Sequence, residues 1–134
     1  MYTVKNTMEY IIGKNPEFQE YLNIVVTEWT AGDRTFGLDI STFSDFISDK
    51  LEKREEYDFK AVFDLVEVLL VDGDKEVSIS VGMQFLENLL NLSANGYFSI
   101  DSFFPYLGEE SKAFCKSNDC LLYTSDAADD SLRV

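Results

Sequence analysis

Histidine is absent from the chain, cysteine and proline occur twice each, and acidic residues outnumber basic ones 25 to 11. Without histidine the chain lacks the commonest general base, the commonest zinc ligand and the usual pH switch. Cys115 and Cys120 are too few to build a disulfide scaffold, and two thiols with no histidine do not complete a tetrahedral zinc site. A formal charge of −14 opposes sequence-independent nucleic-acid binding, which rests on cationic neutralisation of phosphates. No run approaches the roughly 18 consecutive apolar residues of a membrane span. The densest apolar stretch, residues 65–71, is interrupted by Glu67. Residues 1–13 carry no long apolar segment with a small-residue cleavage site, so a cytoplasmic protein with reduced thiols is expected.

What is present is a core. Of 134 residues, 46% are hydrophobic and 14% aromatic, too rich a supply of core formers for a disordered chain. The apolar spacing is helical almost throughout. Asn15 and Pro16 mark a helix start, as N-cap and first helical residue, with Phe18, Tyr21, Leu22, Val25 and Trp29 on one face and Gly32 at the end. A second helix is predicted over residues 42–56 through Phe43, Phe46, Ile47 and Leu51, its far side of Asp49, Glu52, Lys53, Arg54, Glu55 and Glu56 solvated. Asp58 caps a third, with Phe59, Val62, Phe63, Val66, Leu69 and Leu70 inward and Lys60, Asp64 and Glu67 wet. Gly73 suits a left-handed helix end. A fourth helix, from residue 75 or 77 to 92, carries Glu87 as the single charge between Val77 and Ile100 and is expected at the centre of the fold. Asn95 and Gly96 break the pattern, residues 99–104 form a short turn before Pro105, and a last helix spans residues 109–117. Residues 2–12 offer one more amphipathic helix, while residues 77–81 alternate too briefly to argue for a sheet. The fold class is all-α: a compact bundle of five or six helices over residues 1–120, with α-solenoid-like helix pairs as one arrangement.

Residues 123–130 have no apolar face, and the sequence from about residue 121 resembles the translated read-through of a sequencing adapter, a contaminant of metagenomic reading frames. Residues 121–134 are therefore expected to be a non-native or disordered tail. Without them the charge is still −12, so the acidity belongs to the helical part.

Reactive constellations are few. Residues 91–102 place Asn91, Ser93, Asn95 and Gly96 at positions 1, 3, 5 and 6 of a calcium loop. Such a loop needs a carboxylate at position 1 and a bidentate Glu at 12, and here those are Asn91 and Ser102. Asp72, Asp74 and Glu76 cluster at a turn, where acids are ordinarily solvated. Cys115 has no histidine to activate it and reads as packing material. Asp64 and Glu67 lie three apart on one helix face and read as solvent contacts rather than an acid/base pair. No glycine-rich phosphate loop exists. No enzyme and no cofactor are expected.

The charge is uneven. Residues 17–76 hold 16 acids and 6 bases, whereas residues 77–120 hold 5 and 2. Such a bias suits a basic partner, because complementary charge speeds association, and it equally serves solubility.

Two stretches carry a resemblance. Residues 61–74 and 77–91 include Phe63-Asp64-x-x-Glu67 and Phe85-Leu86-Glu87, and residues 104–116 include Tyr106-Leu107-Gly108-x-x-Ser111. Together they resemble a family of small bacterial α-helical proteins catalogued as a domain of unknown function, over residues 15–119. One departure is Glu110, where the family pattern has Pro. Small acidic families of this sort are often carried beside toxins as immunity proteins. The expected function is a non-catalytic module that binds another protein with a basic surface, as an immunity protein or antitoxin does, without direct nucleic-acid or membrane binding. Its candidate contact residues are Asp64, Glu67, Asp72, Asp74 and Glu76, beside exposed aromatics such as Phe98, Phe103 or Tyr106. Alternatives are a stand-alone regulatory or structural domain, or an acidic nucleic-acid mimic that blocks a nuclease.

Overall fold

A computed structural model of the chain describes residues 1–27 and 34–117. Seven α-helices fill most of it: α1 (Val4–Lys14), α2 (Pro16–Val26), α3 (Phe36–Lys53), α4 (Phe59–Asp72), α5 (Lys75–Ser80), α6 (Glu87–Ala94) and α7 (Glu109–Ser117). A π-helical segment, Val81–Leu86, joins α5 to α6, and two 3₁₀ turns, Ile100–Ser102 and Phe104–Tyr106, precede α7. The all-α expectation holds. Trp29, Gly32 and the tail from residue 121 lie outside the described residues.

Short side chains set most boundaries. Asp58 accepts from the Ala61 N–H at 3.1 Å and Asp74 from the Val77 N–H at 2.9 Å, each starting a helix. The helix expected over residues 42–56 starts earlier, at Phe36, because the Thr35 hydroxyl caps Leu38 N–H at 3.1 Å. It ends at Lys53, with Arg54 in the left-handed region at φ 56°. Asn15 occupies the N-cap position of α2, as expected, but its side chain makes no capping hydrogen bond. Its amide donates back to Ile11 C=O at 3.0 Å and its oxygen accepts from the Tyr57 hydroxyl at 2.7 Å. Burial there, with Glu17 and Asp58 nearby, pushes Tyr57 up to about 12. Gly73 is extended rather than left-handed. A Cβ at Gly73 would strike Leu69 C=O and the Val77 side chain, so close approach explains the glycine. Residues 77–81 are helical, and among the described residues the one β contact is an isolated bridge between Tyr2 and Gly73.

The expected central helix is present as the continuous run from Lys75 to Ala94, with a π turn in its middle. Its apolar positions Val77, Val81, Phe85 and Leu89 recur every four residues, and all are buried. In an α-helix each four-residue step overshoots a full turn by about 40°. A wider i→i+5 turn offsets that drift and keeps the stripe aimed at α3 and α4. Gly82 within it lets Phe114 of α7 lie against the backbone; a Cβ there would sit 2.6 Å from the ring.

Rings knit the core. Phe85 meets Phe43 at 5.3 Å and Phe63 at 5.9 Å, and Phe63 stacks on Phe103 at 5.9 Å and on Tyr106 at 6.3 Å. Phe103, one of the aromatics expected at the surface, is fully buried in this stack. Lys50, only 10% exposed, lies over the Phe46 and Tyr57 rings and between Glu17 and Glu55 at 3.3 and 3.4 Å.

One expected solvent contact is instead structural. The Glu67 carboxylate accepts from the N–H of Glu110 at 2.8 Å and of Ser111 at 3.0 Å, and from the Ser111 hydroxyl at 2.9 Å. It is the N-terminal cap of α7, supplied from α4. Gly108 makes room for it, since a Cβ at that position would collide with the carboxylate. Burial opposes the charge, yet the two N–H donors and the hydroxyl outweigh it and hold Glu67 below its ordinary value of 4.5. A depressed carboxyl stabilises the fold above its unfolded pKa and loses that contribution as pH falls through the folded one. Glu67→Gln should therefore cost about 1–2 kcal/mol at neutral pH. Chemical denaturation across pH should show the gap between wild type and variant in full above pH 4.5 and closing below it.

Candidate functional site

Three acids recur on one face of α3. Asp45, Asp49 and Glu52 are four and three residues apart, so their side chains line a single stripe. Helix α2 brings Tyr21 to one side of it. Opposite, α6 ends at Ala94 and Gly96 turns the chain at φ 90°, which delivers Tyr97 and Phe98 to the other wall. The result is a cleft of about 330 Å³ lined by Tyr21, Asp45, Ser48, Asp49, Glu52, Leu92, Tyr97 and Phe98. A second cleft of about 330 Å³ shares Glu52, Tyr97 and Phe98 and runs on to Arg54, Ser99 and Ser102. Three lining residues are common to both clefts, and the acidic one is the groove.

Its chemistry is anionic and aromatic. Among the described residues no lysine or arginine pairs with Asp45, Asp49 or Glu52; the ion pairs go to Asp72, Asp39, Glu17, Glu55 and Asp64. Asp45 is exposed, yet partial desolvation raises its carboxyl, a hydrogen bond from Asn88 opposes the rise, and the charge of Asp49 adds to it. Burial also raises the Tyr21 phenol, helped by Asp49 and Asp45. Tyr97 is 54% exposed, and Phe98 is half-buried with its ring edge on Phe103 at 5.9 Å.

Asp45 is tied to the interior. The Asn88 amide donates to its carboxylate at 3.3 Å and to the Ser44 hydroxyl at 2.9 Å, and that buried hydroxyl donates to Phe85 C=O at 3.3 Å. Phe85 lies in the π segment, a form of helix frequent at functional sites. The groove's acid end is thus held by a polar chain that starts at the π turn.

The five acids singled out from sequence do not share one surface role. Asp64 is exposed and pairs with Lys60 at 2.9 Å. Glu67 is turned onto α7. Asp72 lies 3.7 Å from the terminal amine, Asp74 caps α5, and Glu76 is exposed in the first turn of α5. Of the three aromatics expected outside, Tyr106 is exposed, Phe98 is half-buried and Phe103 is not at the surface. Sequence reasoning placed Asp49 and Glu52 on a solvated face and missed the groove. The 45/49/52 spacing was the available signal, but Tyr21 and Tyr97 come from elements 24 or more residues away on either side of Asp45.

Among the described residues no three His, Cys, Asp or Glu side chains gather closely enough to hold a metal ion, and no helix is long and apolar enough to cross a membrane. A family model described as Domain of unknown function (DUF7674) matches residues 8–122. No curated protein and no solved structure matches the chain.

Like charges four apart on a helix cost about 0.2–0.5 kcal/mol. Asp49→Asn removes repulsion from Asp45 and Glu52 and a weaker, unpaired attraction to Lys53, so it should raise the melting temperature slightly at low salt, and the gain should fade as added salt screens these charges. A drop in stability would mean that Asp49 has a partner the geometry does not provide.

Proposed function

The chain belongs to the DUF7674 family, and we propose that it is a non-catalytic protein-binding module that captures another protein through a basic surface. Within that reading it acts as immunity proteins and antitoxins do, by occluding its partner. The observation that carries it is the groove: three carboxylates without a cationic partner among the described residues, walled by accessible tyrosine, on a chain of net charge −14. A surface of this kind steers a basic partner during encounter and fixes its register on contact. Tyrosine adds contact area at small entropic cost, the property that enriches it in binding surfaces.

The five acids at α4 and α5 divide under this reading. Glu67 and Asp74 hold helix ends, so Asp64, Asp72 and Glu76 are the ones available to a partner. Two variants separate the surfaces. Asp45→Asn/Asp49→Asn/Glu52→Gln neutralises the groove, and Asp64→Asn/Asp72→Asn/Glu76→Gln neutralises the α4–α5 corner without touching a cap.

A partner retained on the immobilised wild-type protein, identified and purified, should bind with an affinity that falls as salt rises. The groove variant should lose about threefold to about 150-fold in affinity, as three interfacial charge contacts of roughly 0.2–1 kcal/mol each imply. The corner variant should lose less. Adding the wild-type protein should block the partner's own activity. Unchanged affinity in both variants overturns the proposal. A partner bound but left fully active removes the inhibitor reading and leaves the binding module.

A further inference from the structure

We infer that Asn95 is a covalent modification site: its side chain closes onto the Gly96 nitrogen, releases ammonia and opens with water to aspartate and isoaspartate. The inference does not depend on what the groove binds. It concerns the turn that carries one wall of that groove, since Gly96 at φ 90° leads directly into Tyr97 and Phe98.

Sequence and exposure select this residue. Ring closure needs a backbone nitrogen that can reach the side-chain carbonyl carbon and that no neighbouring side chain crowds. Among the described residues Asn95 is the one asparagine followed by glycine; the others precede Thr7, Pro16, Ile24, Leu89 and Leu92. The Pro16 nitrogen has no proton to lose. The other four asparagines lie inside α1, α2 and α6, where the helical ladder holds the next N–H. Asn95 and Gly96 are both exposed, and among the described residues beyond its neighbours nothing lies within 4 Å of where a Cβ on Gly96 would stand.

The turn sets the gate. Asn95 directly follows α6, with φ −89° and ψ 4°. Its side-chain amide donates to Asn91 C=O at 2.9 Å, and the Gly96 N–H donates to Ser93 C=O at 3.1 Å. Each reacting group is thus held by a hydrogen bond to the last turn of a helix. Helix ends open at a free energy far below that of global unfolding, so local fraying frees both groups together. The Gly96 nitrogen then gives its proton to solvent and attacks Asn95 Cγ. The N–Cγ bond forms, the Cγ–Nδ2 bond breaks, and Nδ2 leaves as ammonia with a proton from solvent. One water opens the five-membered imide, at Cγ to give aspartate or at the main-chain carbonyl to give isoaspartate.

Both products change the turn. Each places a carboxylate at the negative end of the α6 dipole. Isoaspartate also routes the main chain through Cβ, which lengthens the link between α6 and Tyr97 by one atom. The converted protein therefore presents Tyr97 and Phe98 differently to the groove.

The test incubates the whole chain at neutral and mildly alkaline pH and follows each asparagine-bearing peptide by mass. Isoaspartate is counted by the label a carboxyl methyltransferase adds to it. Asn95 is expected to convert first among the described asparagines, at a rate that rises in proportion to hydroxide. In urea it should convert faster, because both hydrogen bonds are gone. Asn95→Gln should abolish the conversion and leave the melting temperature little changed, since residue 95 is exposed. The amides of Tyr97 and Phe98 should shift in the converted fraction. An Asn95 still intact in the folded chain after the urea-unfolded chain has converted overturns the inference, and so does conversion spread evenly over the asparagines. Unmoved Tyr97 and Phe98 amides overturn the link to the groove wall.

Discussion

The structure depends on how α4 docks against the chain that follows residue 102. Two side chains one turn apart on α4 make that contact. Phe63 stacks between Phe103 and Tyr106, and Glu67 caps α7 through Glu110 and Ser111. The first is apolar burial and ring stacking, the second a charge placed on orphan N–H groups at a helix start. Neither works without the other. The stack brings Gly108 against α4, and the missing Cβ at Gly108 is what lets the carboxylate reach the helix end. Leu107, buried between them, seals the contact.

The same contact gives physical content to the motifs that carry the resemblance. In Phe63-Asp64-x-x-Glu67 and Tyr106-Leu107-Gly108-x-x-Ser111, Phe63 meets Tyr106, and Glu67 meets Gly108 and Ser111. In Phe85-Leu86-Glu87, Phe85 joins Phe63 to Phe43 and Leu86 is fully buried. These motifs therefore specify how the helices assemble.

Much of this was legible in sequence where one short-range rule decided the outcome. Asp58, Asp74 and Gly96 mark turns or caps through their own local chemistry, and Glu109 to Ser117 is a helix as expected, its acids first and Lys116 last. The start of α3 was hidden because Gly37 and Asp39 weaken the helical pattern, while the deciding cap, Thr35, precedes it. The π turn was hidden for another reason. Four-residue apolar spacing is compatible with an α-helix, and only packing against α3 and α4 decides whether the drift is absorbed by a wider turn. Glu67 was misread as wet because its partners lie more than 40 residues further along the chain. The groove is the extreme case: its walls come from α2, α3 and the turn after α6, and no window of sequence contains them.

That separation divides the acids by what the fold asks of them. Asp58, Glu67 and Asp74 satisfy helix N-termini, and Glu17 and Glu55 neutralise a nearly buried Lys50. Removing any of these leaves unsatisfied backbone donors or a poorly compensated cation, so their charge is accounted for by folding. Asp45, Asp49 and Glu52 do none of this. They repel one another along a helix face, and Asp45 has its carboxyl pushed upward by partial desolvation and by Asp49. The fold nevertheless spends Asn88 and Ser44 on holding Asp45 in place, linking it to a carbonyl of the π turn. With Asp45 held from the interior and Asp49 and Glu52 following it on the same face, a row of like charges raises the energy of the free protein.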